Sequence, residues 1–97
     1  MGKLVRDRIP ELFGGQSRTL DGAEFRAALR QKLQEEVAEY LDAGNSAELA
    51  DVLEVVRALA ALDGVSPEGL EALRAAKARE RGAFEKRLWW AVAEESC

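Results

Sequence analysis

The chain is expected to be all-α, and three observations point there. Helix-forming Ala, Leu, Glu and Arg dominate its 97 residues, and only two prolines interrupt them. Two long stretches carry apolar residues at helical spacing. Capping residues open these stretches and a third one, and glycines close all three. With 47% hydrophobic and 33% charged residues, the composition is that of one globular domain spanning 1–97.

The elements follow in chain order. The opening MGKLVRDRIPELF holds Pro10, after which a short helix runs into Gly14-Gly15. Residues 16–20 (QSRTL) read as a small extended segment. Asp21-Gly-Ala-Glu24 is a capping-box start, and its helix runs to Ala43 with Gly44 as the stop. Asn45-Ser-Ala-Glu48 is a second such start, for a helix reaching about Asp63 before Gly64. Ser66-Pro67-Glu68 opens a third long helix with proline at its favoured first position, and this one ends near Arg81-Gly82. The tail, FEKRLWWAVA, reads equally as a helical extension or a strand.

Composition excludes several chemistries. There is no histidine, so Ser-His or Cys-His catalysis and HExxH zinc sites are ruled out. The single cysteine, Cys97, allows no internal disulfide and no thiolate cluster. Gly14-Gly15 lacks the GK[ST] of a phosphate-binding loop. Any metal must therefore be held by oxygen, which suits magnesium, manganese or calcium. No apolar run reaches the roughly 20 residues of a membrane span, and the charged start does not read as a signal peptide. A cytoplasmic protein without membrane contact is expected.

The net charge of −4 is unevenly distributed. Residues 1–32 carry seven bases and four acids, whereas 33–56 carry seven acids and no base. Six bases then fall within 74–87. An acidic chain without a long basic face is a poor nucleic-acid binder. An acidic centre between basic arms instead suits a metal holding a phosphorylated ligand.

A helical wheel places the central acids. With Glu36 at zero, Phe25, Leu29, Tyr40 and Ala43 fall within about 40°, and Glu39 lies roughly 60° away with Lys32 between. On the next helix, Val52, Val55, Leu59 and Leu62 fall within about 40° of Glu48, and Asp51 lies roughly 60° away. Two consecutive helices thus each aim a carboxylate pair, spaced i and i+3, along the apolar stripe. Gathering four desolvated carboxylates costs several kcal/mol unless a divalent cation offsets it. Glu35, at the stripe border about 100° from Glu36, is placed to orient or deprotonate a water. Glu54 points away and reads as surface.

Those residues carry a resemblance. Glu35-Glu36-x-x-Glu39 followed by Glu48-Leu-Ala-Asp51 resembles the EExxE…ExxD signature of the MazG-like all-α nucleoside triphosphate pyrophosphohydrolases. That superfamily includes phosphoribosyl-ATP pyrophosphohydrolase and the dimeric dUTPases. A short subgroup opening with KLVRDRIPE, as residues 3–11 do, is most similar. It continues with a KLxEExxEY helix (Lys32 to Tyr40), an ELADVLEV helix (Glu48 to Val55) and an ERGxFEKRL tail (Glu80 to Leu88). The resemblance implies magnesium, or manganese, held by Glu36, Glu39, Glu48 and Asp51, with Glu35 activating water. It also implies that Lys77 and Arg81 grip phosphates. Lys32, Arg6 and Arg8 complete the candidates for substrate binding, and Arg6, Asp7 and Arg8 read equally as structural ion-pair formers. Two departures are visible. The gap between the acidic blocks is eight residues, which argues against a second metal, and Ala83 stands where the RGGF form has glycine.

The expected activity is magnesium-dependent hydrolysis of a nucleoside triphosphate to monophosphate and pyrophosphate, as in nucleotide-pool house-cleaning. The alternatives are the same chemistry on phosphoribosyl-ATP in histidine biosynthesis, and a non-catalytic helical dimerisation module. A homodimer, or a dimer of dimers, is expected. Leu49, Leu53, Val56 and Ala60 form a second apolar arc about 100° from the first, which one small chain cannot cover. Pairing two helical hairpins into a four-helix-bundle-like core covers it.

Overall fold

The computed structural model describes residues 2–91. Four helices are present in that range: α1 (Ile9–Phe13), α2 (Gly22–Ala43), α3 (Ser46–Leu62) and α4 (Pro67–Arg81). The all-α expectation holds, and the described residues contain no strand. No helix is long and apolar enough to cross a membrane.

Local signals written in the sequence set the helix ends. At α2, the Asp21 carboxylate accepts from the Glu24 amide at 2.8 Å, and the Glu24 carboxylate accepts from the Asp21 amide at 3.1 Å. Both halves of the capping box are therefore made. Gly44 closes α2 in the left-handed conformation, φ 72°, and its amide donates to the Tyr40 carbonyl at 2.7 Å. Only glycine takes that conformation without a steric cost, so the chain reverses here in two residues. Asn45 Oδ1 then accepts from the Glu48 amide at 3.2 Å to start α3. Ser66 Oγ accepts from the Gly69 amide at 3.0 Å to start α4, with Pro67 in the first turn.

The two-residue connection makes α2 and α3 an antiparallel hairpin, and this pair contains most of the tertiary packing. At its open end, Arg26 near the start of α2 bridges Asp63, just past α3, at 3.0 Å. At its closed end sit the carboxylates of Glu36, Glu39 and Glu48. The hairpin's core is thin: Leu29 and Val55 are the buried apolar residues, with Phe25, Val52, Leu59 and Leu62 half-buried around them. α4 packs on α3, and residues 2–8 run along the hairpin ahead of α1.

Residues 16–20 lie outside any helix, in the irregular stretch between α1 and α2. The tail is where an expectation needs correction. The tail as far as Ala91 is neither helix nor strand. Beyond Gly82, at φ 82°, it makes a turn closed by the Arg87 amide on the Phe84 carbonyl at 3.2 Å. The remainder of the tail expectation, 92–97, lies outside the described residues.

The α2 cap should make folding stability pH-dependent. The Arg18 guanidinium, and then the Asp21 amide, hold the Glu24 carboxyl below its usual range. A lowered folded value means the contribution is present above the unfolded value near 4.5 and lost as pH falls through the folded one. Circular-dichroism melts taken across this acid range should show a smaller loss of stability in Glu24→Gln than in the parent. An equal loss in both would remove this carboxylate from the acid response.

Candidate metal centre

The closed end of the hairpin brings together acids from both helices. Glu36 and Glu39 lie one turn apart near the end of α2, and Glu48 lies in the first turn of α3. One carboxylate oxygen from each falls within 4.8 Å of the others. Glu48 is turned toward this group. Its amide is capped by Asn45, but its carboxylate does not return to the Asn45 amide, so the second expected capping box is only half formed.

Glu36 is the most telling member. The residue is only 7% exposed, and its Oε2 is buried with no hydrogen-bond partner. Leaving a buried polar atom unpaired costs about 1–3 kcal/mol, and more when it is charged. Its other oxygen lies 3.6 Å from Lys32 Nζ, which is also 3.6 Å from Glu35. One ammonium thus stands between the half-exposed Glu35 carboxylate and the buried Glu36. It does not neutralise three clustered acids. All-oxygen donors, a surplus of negative charge and an unpaired buried oxygen fit a hard divalent cation.

Asp51, the fourth expected ligand, is not a member of this group. Arg6 Nη2 donates to Asp51 Oδ1 at 2.7 Å. Of the two readings open for Arg6 and Arg8, the ion pair is the one present in each: Arg8 Nε donates to Glu11 Oε1 at 2.7 Å. Arg6 and Arg8 nonetheless line a groove of about 710 Å³ beside the carboxylates. Its walls are Lys3 to Ile9 on one side, and Phe25, Leu29, Lys32, Glu36, Asp51 and Val55 of the hairpin on the other. Glu54 is exposed, as expected of a surface residue, yet it also lines this groove. Lys77 and Arg81 are solvent-exposed on α4 and do not line the groove. Helix periodicity finds residues sharing a stripe, but it carries no information on where an irregular segment such as 2–8 lies. Lys3 as a groove residue left no sequence signal of that kind.

No family model and no solved structure matches the chain. An uncharacterised protein of Mycolicibacterium smegmatis (strain ATCC 700084 / mc(2)155) is 54% identical to it over 44 residues, covering 40% of this chain and 45% of that protein. The match thus spans less than half the length of that relative.

Proposed function

We propose that the chain is a divalent-cation-dependent nucleoside triphosphate pyrophosphohydrolase of the MazG-like kind. The observation that carries this reading is the buried, unpaired Glu36 oxygen within a carboxylate cluster built by two helices. The EExxE…ExxD spacing and the KLVRDRIPE opening support it.

Glu36, Glu39 and Glu48 are the residues that would hold magnesium, with manganese as a substitute. The cation supplies neutralisation of phosphate oxygens and a more acidic water. Glu35 accepts the proton of the attacking water, held in place by Lys32. Breaking the bond between the α and β phosphates yields nucleoside monophosphate and pyrophosphate. The apolar groove residues Phe25, Leu29 and Val55 offer a surface for the nucleoside, and Lys3, Arg6 and Arg8 provide charge for the phosphates.

The test is a substrate panel with magnesium and pyrophosphate detection, containing ordinary and damaged nucleoside triphosphates and phosphoribosyl-ATP. At least one nucleoside triphosphate should release pyrophosphate and monophosphate in equal amounts. Turnover of phosphoribosyl-ATP alone would move the protein to histidine biosynthesis. No pyrophosphate from any member would leave a non-catalytic helical module.

The reading includes a second copy of the chain. Leu49 and Leu53 on α3 are 47% and 49% exposed, and Val37 and Leu41 on α2 are exposed as well. Pairing two hairpins covers the outer arcs, and a partner chain gives Lys77 and Arg81 a route to a shared pocket. Leu53→Arg should reduce the mass in light scattering to the 10.6 kDa monomer and make activity concentration-dependent. A fully active, monodisperse parent monomer at micromolar concentration would refute the pairing.

A further inference from the structure

Asp51 is the member of the expected ligand quartet outside the three-carboxylate group, and its partner is a cation of the chain itself. The Arg6–Asp51 bond spans 45 residues of sequence. It ties the segment before α1 to α3, where that segment forms one wall of the groove against Phe25, Leu29 and Val55. Asp51 follows Glu48 by three residues, so the two are neighbours on one face of α3. Glu48 already contributes an oxygen to the carboxylate cluster, and Glu36 of the same cluster has a buried oxygen, Oε2, with no hydrogen-bond partner. Unmet demand for positive charge therefore lies one helical turn from a carboxylate whose demand Arg6 satisfies.

We propose that Arg6 and a divalent cation compete for Asp51. Cation loading then trades the Arg6–Asp51 bond for a further oxygen ligand and loosens segment 3–9 along the groove wall. This rests on the reading of the cluster as a metal site, and adds a strap whose position follows metal loading. The bond is suited to exchange. It has a single donor, and its side chains are 59% and 40% exposed. Exposed pairs of this kind bias an equilibrium only about two- to fivefold. A divalent ion shared with neighbouring carboxylates outcompetes one guanidinium on those terms. Exchange also frees the Arg6 guanidinium inside the groove, where a phosphate can take it in a bidentate pair. Arg8, held by Glu11, does not substitute for it.

The test titrates Mn²⁺ calorimetrically into the full chain, into Arg6→Gln, and into Arg18→Gln. The last carries the same charge change, but its ion pair with Glu24 lies at the opposite end of α2. Arg6→Gln should bind Mn²⁺ about two- to fivefold more tightly than the parent, and Arg18→Gln should match the parent. Saturating Mn²⁺ should also speed trypsin cleavage of the parent after Lys3 and Arg8. In Arg6→Gln that cleavage should be fast with or without the ion. Mn²⁺ binding of equal strength in parent and Arg6→Gln, with cleavage indifferent to the ion, overturns the competition and leaves the metal site standing. Failure of both chains to bind Mn²⁺ overturns the two together.

Discussion

Glu36→Gln is expected to abolish turnover and divalent-cation binding while the helices remain folded. The reason lies in the environment of this one carboxylate. It is buried, one oxygen has no partner, and Glu39 and Glu48 lie close enough to repel it. Neutralising it relieves that repulsion, so helix content should not fall. The parent should gain stability with metal. A cation present at 100 times its dissociation constant adds about 2.7 kcal/mol to a folded state that alone binds it. For a chain of this size that raises the melting temperature by on the order of 10 °C. Glu36→Gln should show no such rise. Equal magnesium-induced shifts in parent and variant, measured by thermal melts, would take Glu36 out of the ligand set.

Glu35→Gln should give a different signature, a loss of about 10²-fold or more in kcat with cation affinity nearly unchanged. Glu35 and Glu36 are adjacent in sequence but not in circumstance. Glu36 is buried, whereas Glu35 is half-exposed and touches the site through Lys32 at 3.6 Å. A carboxylate in that position can take a proton from water without holding the ion. Steady-state kinetics alongside Mn²⁺ calorimetry separates the roles. A large loss of affinity with a modest loss of rate would make Glu35 a ligand.

The helix ends were legible in the sequence because each depends on residues a few positions away. Asp21 with Glu24, Gly44 with Asn45, and Ser66 with Pro67 act within one turn, and α2, α3 and α4 begin and end where those signals stand. The gathering of Glu36, Glu39 and Glu48 was legible for a related reason. Periodicity puts Glu36 on the inward stripe of α2 and Glu48 on that of α3, and a two-residue reversal makes those stripes face one another; Glu39, expected on the same inward face, is exposed at its edge. Asp51 shows where that logic stops. Its position on the wheel is right, but its hydrogen bond is decided by Arg6, on a segment with no periodicity of its own. Arg8 pairs locally with Glu11, three residues on, whereas which of its two alternatives Arg6 adopts is a tertiary question. The same holds for Lys77 and Arg81, whose helix is placed by its packing on α3 and not by its own pattern. The C-terminal tail carries neither a cap nor a stripe, and the irregular course of residues 82–91 could not be read from pattern.

The proposed chemistry depends on Glu36, Glu39 and Glu48 holding one divalent cation. Anomalous scattering from crystals grown in saturating Mn²⁺ tests it most directly. A single strong peak within bonding distance of those three carboxylates is the predicted result. A map without a peak there, at manganese concentrations that saturate binding in solution, would contradict it.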